Sequence, residues 1–97
     1  MDPNHKQTIE ISPDVLFQEV GGETVLLDLE SEHYFGLDAV GTRIWGLIGE
    51  GASVDAMVDT LLQEYEVERA TLEADVAELL SRLAEAGLIR FADEEQG

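Results

Sequence analysis

The spacing of apolar residues changes once along this chain, near Asp38, and this change limits what the chain can fold into. Before Asp38, apolar residues alternate with polar ones, which is typical of strands that bury one face. After Asp38 they recur every three or four residues, which is typical of amphipathic helices. Because 97 residues suffice for one modest core, the strands and the helices must share it. The sequence therefore predicts a single α+β domain.

The first half of the chain predicts three short antiparallel strands. Residues 15–20 and 24–30 are separated by Gly21-Gly22, a pair that permits the positive φ angles of a tight hairpin turn. A second turn at 30–32 leads to the segment HYFGL at 33–37. If the order in space follows the order in sequence, this third predicted strand lies at an edge of the sheet.

Alternation along these segments also assigns side chains to faces. One face of the second predicted strand carries Val25, Leu27 and Leu29, and the opposite face carries Asp28 and Glu30. In the third predicted strand, Phe35 and Leu37 share a face with His33. We expect Phe35 and Leu37 to close the apolar face of the sheet.

The second half predicts three helices. Asp38 is a good N-cap for the first helix and Ser53 for the second. The third helix spans roughly residues 69–86, and Gly87 stands where a left-handed C-cap residue belongs. The segment LIRF that follows, at 88–91, is either a short strand or a wing.

The first predicted helix contains the only tryptophan of the chain, Trp45, which we expect in the core. Gly41, in the same helix, allows the backbone to approach a neighbouring element closely. A small sheet of three antiparallel strands, followed by three helices that pack against it, is an α+β architecture of the winged-helix-like type. We predict this fold for residues 13–91.

The two ends of the chain are polar and lack periodicity. From this we predict a flexible N-terminal tail over residues 1–12 and a flexible acidic C-terminal tail over residues 92–97.

The charge of the chain excludes some partners. With 22 acidic and 5 basic residues, the net charge is −17. A nucleic-acid backbone is bound by Lys and Arg side chains, so we expect no nucleic-acid partner. The acidity indicates either a well-solvated surface or a surface that attracts a basic partner. No apolar run has the roughly 20 residues of a membrane span, and no signal peptide is visible, so we expect a cytoplasmic protein without a membrane partner.

The residues offer little for catalysis, so we do not expect an enzyme. There is no cysteine, His5 lies in the predicted tail, and His33 has no recognisable nucleophile beside it. Asp28, Glu30, Glu32 and His33 do not converge on one metal, and no phosphate loop or cofactor motif is present. Ser53 at a helix start permits an acyl or peptidyl carrier protein as an alternative, but carriers are all-helical.

Two segments together resemble a known family. The segment LDAVGTRIW at 37–45 resembles the Leu-Asn/Asp-x-x-Gly-x-x-Ile-Trp signature of PqqD-like proteins. The segment ADVAELLSRLAEAGLI at 74–89 is similar to the Asp-x-x-x-x-Leu-x-x-Leu-x-x-x-Gly-Leu-Ile ending of that family. The only departure is Asp38 in place of the commoner Asn, and both cap helices.

The resemblance implies a recognition element for ribosomally made, post-translationally modified peptides. Such domains bind the leader of a precursor peptide as an extra strand on the third strand, in the cleft beside the third helix. The residues implied to contact the leader are Leu29, Glu30, Ser31, Glu32, His33, Tyr34, Phe35, Asp75, Val76, Leu79, Leu80, Arg82 and Leu83. From the residues alone, Tyr34 is equally an ordinary strand aromatic and Arg82 an exposed partner of Glu78.

As a free-standing domain, the chain looks most like the leader-binding partner of the lasso-peptide leader protease. The resemblance then implies three partners: the precursor leader, a transglutaminase-like cysteine protease and a cyclase. Alternatives are a stand-alone peptide chaperone of a quinone-cofactor pathway or another modified-peptide pathway, a carrier protein, and a winged-helix DNA-binding protein. The acidic third helix argues against DNA binding.

Overall fold

The structure is a computed structural model, and it describes residues 7–93. Its elements follow in the order β1 (Gln7–Ile11), β2 (Val15–Val20), β3 (Glu23–Asp28), β4 (His33–Leu37), α1 (Ala39–Gly49), α2 (Val54–Glu64), α3 (Arg69–Glu85) and β5 (Ile89–Asp93). Strands β2, β3 and β4 form a three-stranded antiparallel sheet in that order, and β1 pairs with β5 in a separate two-stranded sheet. The predicted architecture of three strands followed by three helices is therefore confirmed.

The junction between β4 and α1 is tight. Asp38 accepts a hydrogen bond at Oδ1 from the backbone N–H of Gly41, at 2.8 Å, and so caps α1. A Cβ atom on Gly41 would lie 3.2 Å from Cβ of the buried Leu37 and 3.3 Å from the capping Oδ1. The predicted close approach at Gly41 is confirmed, and its neighbours are the end of β4 and the cap.

The helices cover the inner face of the three-stranded sheet. Trp45 is buried, as predicted, and the ring of Phe17 meets its ring at 66° with the centroids 6.1 Å apart. The predicted apolar stripes of α2 and α3 also enter the core. Their buried members are Met57, Val58, Leu61, Leu72, Val76, Leu80 and Leu83. The side chains of Arg43 and Glu64 form an ion pair of 2.7 Å, which adds a contact between α1 and the end of α2.

Helix α3 ends in a Schellman motif. The N–H of Gly87 donates to the carbonyl of Ala84 and the N–H of Leu88 to that of Leu83, both at 3.0 Å. Gly87 has φ +79°, and Leu88 is buried beneath the turn. The predicted C-cap is confirmed, and the chain leaves it directly into β5.

The structure corrects the expectation of tails at 1–12 and 92–97. Residues 7–11 form β1, which pairs with β5 from Gln7 opposite Asp93 to Ile11 opposite Ile89. Ile9 joins the core, and Glu10 forms an ion pair of 2.7 Å with Arg90 directly across from it. A short strand gains stability from its pairing partner, and here that partner lies 80 residues away, so the local pattern gave no sign of it. Residues 1–6 and 94–97 lie outside the described residues.

The structure shows which of the two faces of β3 is buried. The buried face carries Thr24, Leu26 and Asp28, whereas Val25 is exposed. Leu29 is exposed just beyond the strand. Asp28 tolerates burial because its carboxylate accepts hydrogen bonds from Ser31 Oγ at 2.9 Å and from the N–H of Glu30 at 3.1 Å.

No helix among residues 7–93 is long and apolar enough to cross a membrane.

We predict opposite effects for two glycine substitutions. Gly87→Ala places a Cβ in the left-handed region and should lower the free energy of unfolding by about 1 kcal/mol, since its nearest neighbour is 3.9 Å away and no clash contributes. Gly46→Ala, at an open helical position, should raise it by about 0.5–1 kcal/mol. Urea unfolding measures both. Equal effects of the two changes would contradict the cap geometry.

A second pair of variants tests the faces of β3. Leu26→Ala empties a fully buried site and should cost about 3 kcal/mol of unfolding free energy. Val25→Ala, on the exposed side, should cost less than about 1 kcal/mol. Thermal and urea unfolding of both variants measure these losses. A larger loss of unfolding free energy in Val25→Ala than in Leu26→Ala would contradict the assigned register.

Candidate functional site

A cleft of about 450 Å³ lies between β4, the first half of α1 and α3. The side formed by β4 and α1 is lined by Phe35, Gly36, Leu37, Asp38, Val40, Gly41 and Ile44. The side formed by α3 is lined by Asp75, Glu78, Leu79 and Arg82. The cleft therefore follows the second half of β4 and the start of α1 on one side, and two turns of α3 on the other.

The cleft borders an open strand edge. β4 pairs with β3 along one edge only, from Thr24 opposite Leu37 to Asp28 opposite His33. No other strand among residues 7–93 pairs with its second edge. Backbone N–H and C=O groups along such an edge can pair with an extended peptide. β2 forms the other edge of the sheet, but none of its residues lines the cleft.

The α3 wall is one face of the helix. Asp75, Glu78, Leu79 and Arg82 follow the spacing i, i+3, i+4 and i+7, which places them side by side. Leu79 is half-buried and packs against the core, whereas the three charged residues are exposed. An apolar side chain that enters the cleft would therefore meet Leu79 below a charged rim.

Arg82 contacts the aromatic ring of β4. Its guanidinium carbon lies 5.3 Å from the centroid of the Phe35 ring, which is cation–π geometry. This contact replaces the alternative that Arg82 pairs with Glu78 at i+4, because neither residue takes part in an ion pair within the described part of the chain. The contact joins α3 to β4 across the cleft and leaves guanidinium N–H groups available to a ligand.

The floor and the rim of the cleft differ in chemistry. Leu37 and Ile44 are buried, and Val40 is half-buried. The rim carries the carboxylates of Asp38, Asp75 and Glu78 against the single cation of Arg82. The carboxylate of Asp38 is engaged by the cap of α1. Such a site suits an extended segment with an apolar side chain pointing inward and polar groups at the rim.

Four of the thirteen residues predicted from the resemblance line the cleft. They are Phe35, Asp75, Leu79 and Arg82. Three others, Val76, Leu80 and Leu83, are buried in the core beneath α3 and line no part of the cleft.

The remaining six predicted residues line no part of the cleft. Leu29, Glu30, Ser31 and Glu32 form the turn between β3 and β4, where Glu32 adopts φ +64°. His33 is exposed at the start of β4, in register with Asp28. Tyr34 is 73% exposed on the outer face of the sheet, away from the helices.

Seven lining residues were not predicted. They are Gly36, Leu37, Asp38, Val40, Gly41, Ile44 and Glu78. Glu78 could have been found, because it follows Asp75 by three residues on the same helix face. The contribution of α1 depends on the tight junction after β4, which a sequence pattern does not reveal.

The described residues hold no group of three or more His, Asp or Glu side chains that could bind a metal ion.

The fold and the cleft define a winged-helix-like α+β domain with an unpaired strand edge beside a cleft. Residues 23–89 match the family described as Coenzyme PQQ synthesis protein D (PqqD). The chain belongs to the PqqD family, and the resemblance seen in the sequence is confirmed. No curated protein matches the chain.

Two solved structures are similar to this chain. One is TbiB1 in complex with the TbiA(beta) leader peptide, at TM-score 0.80 and 43% identity, covering 84% of this chain and 94% of that one. The other is lasso peptide synthetase B1 complexed with the leader peptide, at TM-score 0.79 and 30% identity, covering 84% and 96%.

We predict that Arg82 and Phe35 stabilise each other. In a double-mutant cycle of Arg82→Gln and Phe35→Leu, the coupling free energy from urea unfolding should be about 0.5 kcal/mol, as for a partly exposed cation–π pair. Arg90→Gln paired with Phe35→Leu is the control, because Arg90 contacts Glu10 instead. Additive effects of Arg82→Gln and Phe35→Leu would contradict the contact.

Proposed function

We propose that this chain binds the leader of a precursor peptide as an added antiparallel strand on β4. The observation that carries the proposal is the open edge of β4 beside a cleft with an apolar floor. Support comes from two similar structures, which hold leader peptides and match this chain along 94% and 96% of their own lengths. The leader would lie between β4 and α3.

Binding by this arrangement combines two kinds of contact. Main-chain hydrogen bonds to β4 hold any extended backbone, and the cleft selects side chains. An apolar or aromatic leader side chain would pack against Leu79 and Phe35, and an acidic leader group would pair with Arg82. The few available anchors mean that one leader side chain would carry much of the affinity.

In this proposal the chain is a non-catalytic adaptor in lasso-peptide biosynthesis. It brings the precursor to a leader protease of the transglutaminase-like cysteine class and then to a cyclase. Holding the substrate next to the enzyme raises its effective concentration, which accelerates cleavage without a catalytic group on the adaptor. The proposed site of action is the cytoplasm.

A second candidate is a peptide chaperone in a quinone-cofactor pathway, which the match to the PqqD family over residues 23–89 favours. The two candidates differ in the peptide that they bind. The carrier alternative has little support, since Ser53 Oγ accepts the N–H of Ala56 at 3.2 Å as a helix cap and strands precede it. Helix α3 exposes Glu73, Asp75, Glu78 and Glu85, which disfavours a DNA-binding role.

We predict that Leu79→Ala weakens leader binding about tenfold, because it removes the apolar surface of the α3 wall. The measurement is fluorescence anisotropy with a labelled leader from the precursor encoded beside this chain. Leu62→Ala is the matched control, since Leu62 is also a half-buried leucine packed against the core but lies outside the cleft. Equal losses in both variants would indicate a stability effect and contradict the proposed contact.

The edge that receives the leader can be identified by amide chemical shifts. Titration with the unlabelled leader should shift the backbone amides of β4 and leave those of β2 unchanged. Shifts confined to β2 would place the peptide on the wrong edge and overturn the proposal.

A further inference from the structure

The three-stranded sheet has a second apolar surface, on the side away from the helices. We call it the outer face, and its members are Leu16, Gln18, Val20, Glu23, Val25, Leu27, Tyr34 and Gly36. Leu16, Leu27 and Tyr34 lie directly opposite one another across β2, β3 and β4. Leu16 is 55% and Tyr34 73% exposed. A sheet face turned to solvent is ordinarily polar, so a continuous apolar row indicates a contact surface.

Acidic residues lie on and beside the outer face. Glu23 belongs to the outer face next to the β2–β3 turn, and Glu30 and Glu32 lie in the β3–β4 turn. All three are exposed, and none takes part in an ion pair within the described residues. The sequence contains no Lys or Arg from residue 7 to residue 42. The three strands and the turns between them therefore carry carboxylates and no Lys or Arg side chain.

This charge decides between two kinds of occupant. In a symmetric dimer the outer face would meet its own copy, and the acidic residues at both ends would repel those of the partner. A protein surface with an apolar centre and Lys or Arg at its rim complements both features. The occupant is therefore a basic partner and not a second copy.

The position of the outer face points to the role of that partner. Phe35 lines the cleft, whereas its neighbour Tyr34 lies on the outer face, so β4 belongs to both surfaces. A peptide strand added to β4 would place alternate side chains on the outer face and extend it. A protein docked there would touch the bound peptide.

We propose that the outer face docks the enzyme that processes the bound leader, through an apolar centre with a basic rim on that enzyme. This inference rests on the proposed leader-binding function and adds the surface by which the substrate is delivered. The leader occupies the cleft side of β4, and the enzyme occupies the opposite side.

The test uses the full chain, its labelled leader and the purified leader protease of the same pathway. The double variant Leu16→Ser/Val25→Ser removes apolar groups that lie away from the edge of β4. Leader affinity should stay unchanged, whereas protease affinity and the rate of leader cleavage at limiting adaptor should fall about tenfold. Val67→Ser is the matched control for Val25→Ser, because the two valines are 47% and 45% exposed. It should leave all three quantities unchanged.

A charge variant tests the basic rim. Glu23→Gln should slow association with the protease and reduce the dependence of that rate on salt. Glu66→Gln, which removes one exposed carboxylate between α2 and α3, should change neither.

Three results would overturn the docking surface. They are protease binding by Leu16→Ser/Val25→Ser at wild-type strength, loss of leader binding in that variant, and a wild-type dimer in sedimentation that the variant abolishes. A wild-type chain that fails to bind the leader at all would instead overturn the proposed function, and this result is read from the anisotropy measurement without the protease.

Discussion

The direct passage from β4 into α1 is the constraint on which the rest of the structure depends. Leu37 is buried at the end of the strand, Asp38 caps the helix, and Gly41 has no Cβ to hold the two apart. With no loop between them, α1 lies directly against the inner side of β4, and its next turn buries Ile44 and Trp45. The chain therefore leaves the sheet for the helices at β4, and no later strand up to residue 93 covers its second edge.

The strand that follows the helices, β5, leaves the second edge of β4 open. After the turn at Gly87, β5 pairs with β1 at another part of the core instead of adding to β4. The Schellman motif sets the direction in which the chain leaves α3. Ile9 and Glu10 of β1 pair with β5, so β5 does not pair with β4. An edge without a partner is an aggregation risk in an isolated domain, and acidic residues at the β3–β4 turn reduce it.

The distribution of charge separates the two surfaces of the sheet. The arginines of the described chain all lie at or after Arg43, and three of them form ion pairs with nearby carboxylates. Arg82, the fourth, is at the cleft over Phe35. Strands β2, β3 and β4 carry Asp and Glu side chains but no Lys or Arg. A ligand in the cleft thus meets one cation, and a partner on the outer face meets none, which makes the two surfaces selective for different chemistry.

The sequence by itself determined the elements, because hydrophobic period, turn glycines and capping residues such as Asp38 act within a few residues. It also determined one wall of the cleft, since Asp75, Leu79 and Arg82 share a helix face through local spacing. Tertiary structure decided which face of β3 is buried. Leu26 is buried and Val25 is exposed, because hydrogen bonds allow Asp28 to be buried on the same face as Leu26. Tertiary structure also decided the strand at residues 7–11 and the part of the cleft formed by α1, because each exists only through contact with a segment that the local pattern does not specify.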